Sequence, residues 1–126
     1  LIQQYRHPIR QRDWELPAGL LDVAGEDPIA AAARELAEEA DLTAEGWEPL
    51  VSTYTTPGSN SEIIHIYLAT GLSPAAESFA RTDEEADIRL AWVPLDEAAD
   101  GVLAGRLRNG ILAVGVLAAE RRLRGA

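Results

Sequence analysis

The chain carries Glu26 and, after seven intervening residues, Arg34-Glu35-Leu36-Ala37-Glu38-Glu39, with Gly19 ahead of the run and Leu42 behind it. Glu35, Glu38 and Glu39 stand three and four positions apart, the spacing that brings side chains onto one face of a helix. Like charges so placed repel, and a bound cation relieves them. Carboxylate oxygens are the ligands of hard divalent ions such as magnesium and manganese, which take their remaining ligands from water and from substrate phosphates. The chemistry to which this spacing points is hydrolysis of a phosphate anhydride.

A helix must hold these groups. Asp27 is a good N-cap, Pro28 suits the first helical position, and Ala30 to Ala40 are helix formers, so the element is expected to run to about Asp41. On it Ile29, Ala33, Leu36 and Ala40 form the expected core stripe, on a different side from the acids. Hydrolysis also needs a carboxylate to accept the proton of the attacking water. The run Arg81-Thr82-Asp83-Glu84-Glu85-Ala86-Asp87 supplies acids away from the helix, and Glu84, Glu85 and Glu38 are the catalytic candidates.

The glycine, the glutamate and the Arg-Glu-Leu-Ala-Glu-Glu run resemble the box of the Nudix hydrolases. Six residues separate Gly19 from Glu26 where that family usually has five, and Asp41 stands where the box has glycine. The longer loop is similar to the ADP-ribose pyrophosphatase branch, as are Gln4-Tyr5-Arg6 and Glu15-Leu16-Pro17-Ala18-Gly19. The resemblance implies that Glu35, Glu38 and Glu39, with the Ala18 carbonyl, hold Mg2+ or Mn2+, and that Gly19, Glu26 and Arg34 are structural. It implies substrate contacts at Arg6 and Glu15, weaker ones at Ser59 and Asn60, and a base at Glu84 or Glu85. The expected reaction is cleavage of ADP-ribose to AMP and ribose 5-phosphate. The alternatives are another nucleoside diphosphate derivative, such as an NDP-sugar, a dinucleoside polyphosphate or NADH, and a non-catalytic ADP-ribose sensor. The resemblance also implies a homodimer and an N-terminal sheet segment beyond these residues.

With 126 residues, one Nudix domain is expected over positions 1–126. The absence of cysteine excludes a disulfide framework and a thiolate zinc site, and a cytoplasmic enzyme fits. A formal net charge of −10 argues against nucleic-acid partners and anionic membranes, leaving a small-molecule nucleoside diphosphate. No stretch is long and apolar enough to read as a membrane span.

Strand formers from Trp47 to Thr55 and from Ile63 to Leu68 flank the turn residues Pro57-Gly58-Ser59-Asn60, which predicts a hairpin. His65 in its second arm reads as a packed or partly exposed side chain rather than a ligand. A strand is expected over Ile88 to Val93, a short helix from an N-cap at Leu95-Asp96-Glu97, and a last helix capped by Asn109 with Ile111, Val114, Leu117 and Ala118 on its stripe. This order predicts an α+β sandwich with helices on both sides of a mixed sheet, and the resemblance implies that it is a Nudix-type α/β/α sandwich.

Overall fold

The computed structural model of the chain describes residues 1–21, 23–76 and 86–125. Strand β1 (Ile2–Arg6) turns through a single 3-10 turn at His7–Ile9 into β2 (Gln11–Glu15). Helix α1 (Pro28–Ala40) follows, then the long strands β3 (Leu42–Tyr54) and β4 (Ile63–Pro74), the two-residue β5 (Arg89–Leu90), α2 (Leu95–Leu103) and α3 (Gly110–Arg124). The strands form two sheets, one in the order β2-β1-β5 and one pairing β3 with β4, and the helices pack on them as the α+β sandwich expected from the sequence.

Several details differ from that expectation. Every pairing among the described residues is antiparallel, not mixed. Within each hairpin, the short connections at 7–10 and 55–62 allow antiparallel neighbours, whereas parallel ones need a long crossover. The strand expected over Ile88 to Val93 is assigned as strand only at Arg89–Leu90, which pair with Gln3 and Ile2, and backbone bonds between Leu1 and Ala91 continue the contact. The buried stripe of α3 is Leu112, Gly115, Val116 and Ala119, with Val114 37% exposed. The apolar count missed it because its closest contact is made by a glycine: a Cβ on Gly115 would lie 2.7 Å from Leu16 Cδ1 and 3.4 Å from Ile66 Cγ2. α3 thereby reaches both the loop after β2 and strand β4.

Ala98 and Ala99 of α2 and Leu112 and Val116 of α3 form the core cluster, against which Trp14, Leu16 and Leu107 pack. Asn109 caps α3 as expected, its Oδ1 accepting from the Leu112 N–H at 2.9 Å. The N-cap of α2 is Pro94, one residue earlier than expected, and makes no side-chain cap bond. The β3–β4 ladder slips between Pro49 and Val51, so Leu50 is an extra residue, a β-bulge. Arg122 of α3 donates to the Pro49 and Leu50 carbonyls there, at 3.4 Å.

Candidate active site

Asp27 begins α1 by accepting from the N–H groups of Ile29 and Ala30 at 3.1 and 3.3 Å, satisfying two donors the helix itself leaves open. Asp41 ends it in the left-handed conformation, φ 55°, with its N–H on the Ala37 carbonyl. Asp and Asn enter this region more readily than bulkier residues, which is how the helix terminates without the glycine of the Nudix box. Between these ends the acids lie as their spacing requires.

The extended segment after β2 packs over them. The Ala18 N–H donates to Glu39 Oε2 at 3.1 Å, and Glu39 is buried, 5% exposed. Gly19 lies against the Glu35 carboxylate so closely that a Cβ there would overlap its oxygen. A residue with a side chain would displace the Glu35 carboxylate, so the glycine leaves the room that this carboxylate occupies. Arg34 donates from Nε and Nη2 to both Glu26 oxygens at 3.1 and 3.0 Å, and from Nη1 to Glu35 at 3.0 Å and Glu38 at 3.5 Å. One guanidinium thus ties the loop residue Glu26 to the acidic face, in the forked geometry that only arginine offers.

The charges are unequal in their surroundings. Burial raises the Glu35 carboxyl above the ordinary carboxylate range, with Glu38 adding to the rise and Arg34 opposing it. Hydrogen bonds from Arg34 hold Glu26 below that range, and in return Glu26 holds the Arg34 guanidinium charged. Glu26 and Arg34 form a settled pair, whereas Glu35 is a carboxylate whose charge burial disfavours. Among the described residues no three His, Asp or Glu side chains converge to cage a metal ion. The donor set still fits magnesium or manganese, since such ions bind through one or two carboxylates and fill the shell with water and phosphate. Glu35 and Glu39, four positions apart on α1, supply such a pair.

A cleft of about 400 Å³ adjoins this face, between α1, the segment 16–21 and the β3–β4 hairpin. Glu35, Ala18, Gly19, Trp47, His65 and Tyr67 are among its lining. The other residues expected to meet substrate are placed variously. Arg6 and Glu15 are brought together by the β1–β2 pairing and bind each other, Nε to Oε2 at 2.8 Å and Nη2 to Oε1 at 2.7 Å, with Gln4 Nε2 donating to Oε1 at 3.4 Å. Arg6 still leaves 45% of its side chain exposed. Asn60 closes its own turn by accepting from the Glu62 N–H at 3.0 Å, Ser59 donates to the Thr56 carbonyl, and neither lines the cleft. Glu84 and Glu85 lie outside the described residues. His65, read from sequence as a packed or partly exposed side chain, is exposed on the cleft lining and bonded through Nδ1 to Ser52 Oγ at 2.8 Å. Sequence reasoning did not pair it with Ser52, because that pairing depends on which residues close the turn, Tyr54 opposite Ile63.

Residues 1–112 match the family described as NUDIX domain. The chain is similar to an ADP-ribose pyrophosphatase of Mycobacterium tuberculosis, 51% identical over 118 residues, covering 94% of this chain and 56% of that protein. It is also similar to a methanol dehydrogenase activator of Bacillus methanolicus, 39% identical over 126 residues, covering 98% of this chain and 67% of that protein. An ADP-ribose pyrophosphatase of Bacillus subtilis is 37% identical over 98 residues, 78% of this chain and 52% of its own length. The chain therefore spans between about half and two thirds of these curated relatives. A crystal structure of an ADP compounds hydrolase superposes with a TM-score of 0.84 at 22% identity, over 98% of this chain and 65% of that one, a likeness of fold. By sequence match and by architecture, with its box glutamates gathered on α1 beneath the Ala18-Gly19 loop, the chain belongs to the NUDIX domain family.

Proposed function

We propose that this protein hydrolyses the diphosphate of ADP-ribose to AMP and ribose 5-phosphate with a divalent cation, magnesium or manganese. The observation that carries the reading is the carboxylate face of Glu35, Glu38 and Glu39, set against the Ala18-Gly19 loop and tied to Glu26 through Arg34. The similarity to the ADP-ribose pyrophosphatase of Mycobacterium tuberculosis selects the substrate.

Glu35 and Glu39, with Glu38 beside them and the Ala18 carbonyl, would hold the cation. When bound, the cation neutralises the diphosphate and acidifies the attacking water. Water attacks one phosphorus in line, the anhydride P–O bond on the far side breaks with its electron pair on the leaving phosphate, and the water's proton passes to a carboxylate. Glu84 or Glu85 is the proposed acceptor, with Glu38 the remaining candidate. Arg34 and Glu26 keep α1 and the loop in register without touching substrate. Arg6, paired with Glu15 and 45% exposed, is proposed to meet a phosphate oxygen, and Ser59 and Asn60 are the weakest substrate contacts of this proposal.

The working protein is proposed to be a cytoplasmic homodimer. Trp92 and Leu103, each 75% exposed, supply apolar surface that a second copy would cover. The test is AMP formation from ADP-ribose by the full-length protein with magnesium, with manganese and with excess chelator. Cation-dependent AMP is expected. Hydrolysis of GDP-mannose, diadenosine polyphosphates or NADH in its place would keep the reaction class and replace the substrate. Tight binding of ADP-ribose with no AMP formed would make the protein a sensor.

A further inference from the structure

The cleft beside Glu35 has a second polar feature that the box chemistry does not use. Ser52 and His65 are direct cross-strand partners, and their 2.8 Å hydrogen bond fixes both side chains to one face of the hairpin. Alternation along β4 puts Tyr67 on that same face. Among the described residues Ser52 is the one hydrogen-bond partner of the His65 ring, so Nε2 has none. Around it the lining is apolar, including Leu21 and Ile63, which are 57% and 42% exposed. A largely apolar cleft of about 400 Å³ with a few placed polar groups is the usual form of a small-molecule site.

A sugar matches this combination. Its C–H faces pack on apolar side chains, while its hydroxyls need a partner at the edge. We propose that His65, held by Ser52, binds a hydroxyl of the pentose 5-phosphate that flanks the diphosphate. The proposal rests on reading the carboxylate face as a diphosphate hydrolase site. In the proposed arrangement the Ser52 hydroxyl donates to Nδ1 and Nε2–H donates to the sugar oxygen. ADP-ribose contains two such pentoses, that of the nucleotide and the terminal one, so the experiment has an arm for each.

The measurement is calorimetric binding of AMP, ribose 5-phosphate and adenine to the full-length protein and to H65A, H65Q and S52A, alongside kinetics on ADP-ribose. One of the two sugar phosphates should bind about five- to tenfold more weakly to H65A, the scale of one uncharged hydrogen bond. H65Q, which keeps a donor, should recover part of the loss, and S52A should fall between. KM for ADP-ribose should rise by the same factor while kcat changes less than twofold. Loss on ribose 5-phosphate assigns the terminal sugar, and loss on AMP but not adenine assigns the nucleotide sugar. Equal binding by H65A and wild type overturns the proposal, as does wild type binding neither sugar phosphate or a loss shared by adenine. Absence of AMP formation with any divalent cation would sink the ADP-ribose reading alone, because the calorimetry decides His65 without turnover.

Discussion

Glu39 and Glu35 differ in what they are attached to, and that difference sets two expectations. Glu39 is buried and accepts from the Ala18 N–H, a bond that a glutamine oxygen can also accept. E39Q should therefore leave the melting temperature nearly unchanged while turnover falls on the order of a hundredfold or more, as expected when charge facing a transition state is removed. Glu35 is held above the ordinary carboxylate range mainly by burial. The folded protein then binds a proton there more readily than the unfolded chain does. This contribution to stability is present below the ordinary carboxylate pKa and is lost as pH rises through the raised value. At neutral pH in chelator, E35Q should melt above wild type, and adding magnesium should raise wild type and not the variant; differential scanning calorimetry reads both. The acids were legible because they share one helix and its period is known in advance. The Arg6–Glu15 pair was not, since two residues each assigned to substrate met only once the β1–β2 register was fixed.

Helix α1 depends on its ends. Asp27 satisfies two N–H groups at the start, so D27A should cost about 1 kcal/mol, measured as a shift in the urea midpoint at constant slope. The start was legible from Asp27-Pro28 because capping is local chemistry. Its stop was legible only in part: Asp41 reads as a departure from a glycine, and the structure shows the same left-handed turn made by aspartate. Strand β5 was overestimated for the opposite reason. Strand propensity describes a residue's fitness for a sheet and does not say how many residues a ladder takes up, and here only Arg89 and Leu90 are assigned to one.

Across the whole molecule, Gly115 is where α3 meets both the loop leading to the box and strand β4. A valine there would press on Leu16 and Ile66, and overpacking of this kind costs about 1–3 kcal/mol, more than the loss of the α1 cap. G115V should show that loss in denaturant unfolding. Composition announced an apolar last helix, but not which side faces inward, because a glycine that packs closely counts as nothing on a hydropathy scale. The fold class, in contrast, followed from the order of elements alone. The slip at Leu50 bears on the gene. Removing one codon elsewhere in Leu42–Tyr54 would turn every side chain on one side of the loss to the opposite face. Removing the codon for Leu50 would join Pro49 to Val51 in an even ladder, leaving Trp47 opposite Ala69 and Ser52 opposite His65. The carbonyl partners of Arg122 would change and the half-buried Leu50 side chain would be lost. Insertions and deletions in descendants of this sequence should therefore gather at that codon, where chain length can drift while the cleft wall keeps its facing.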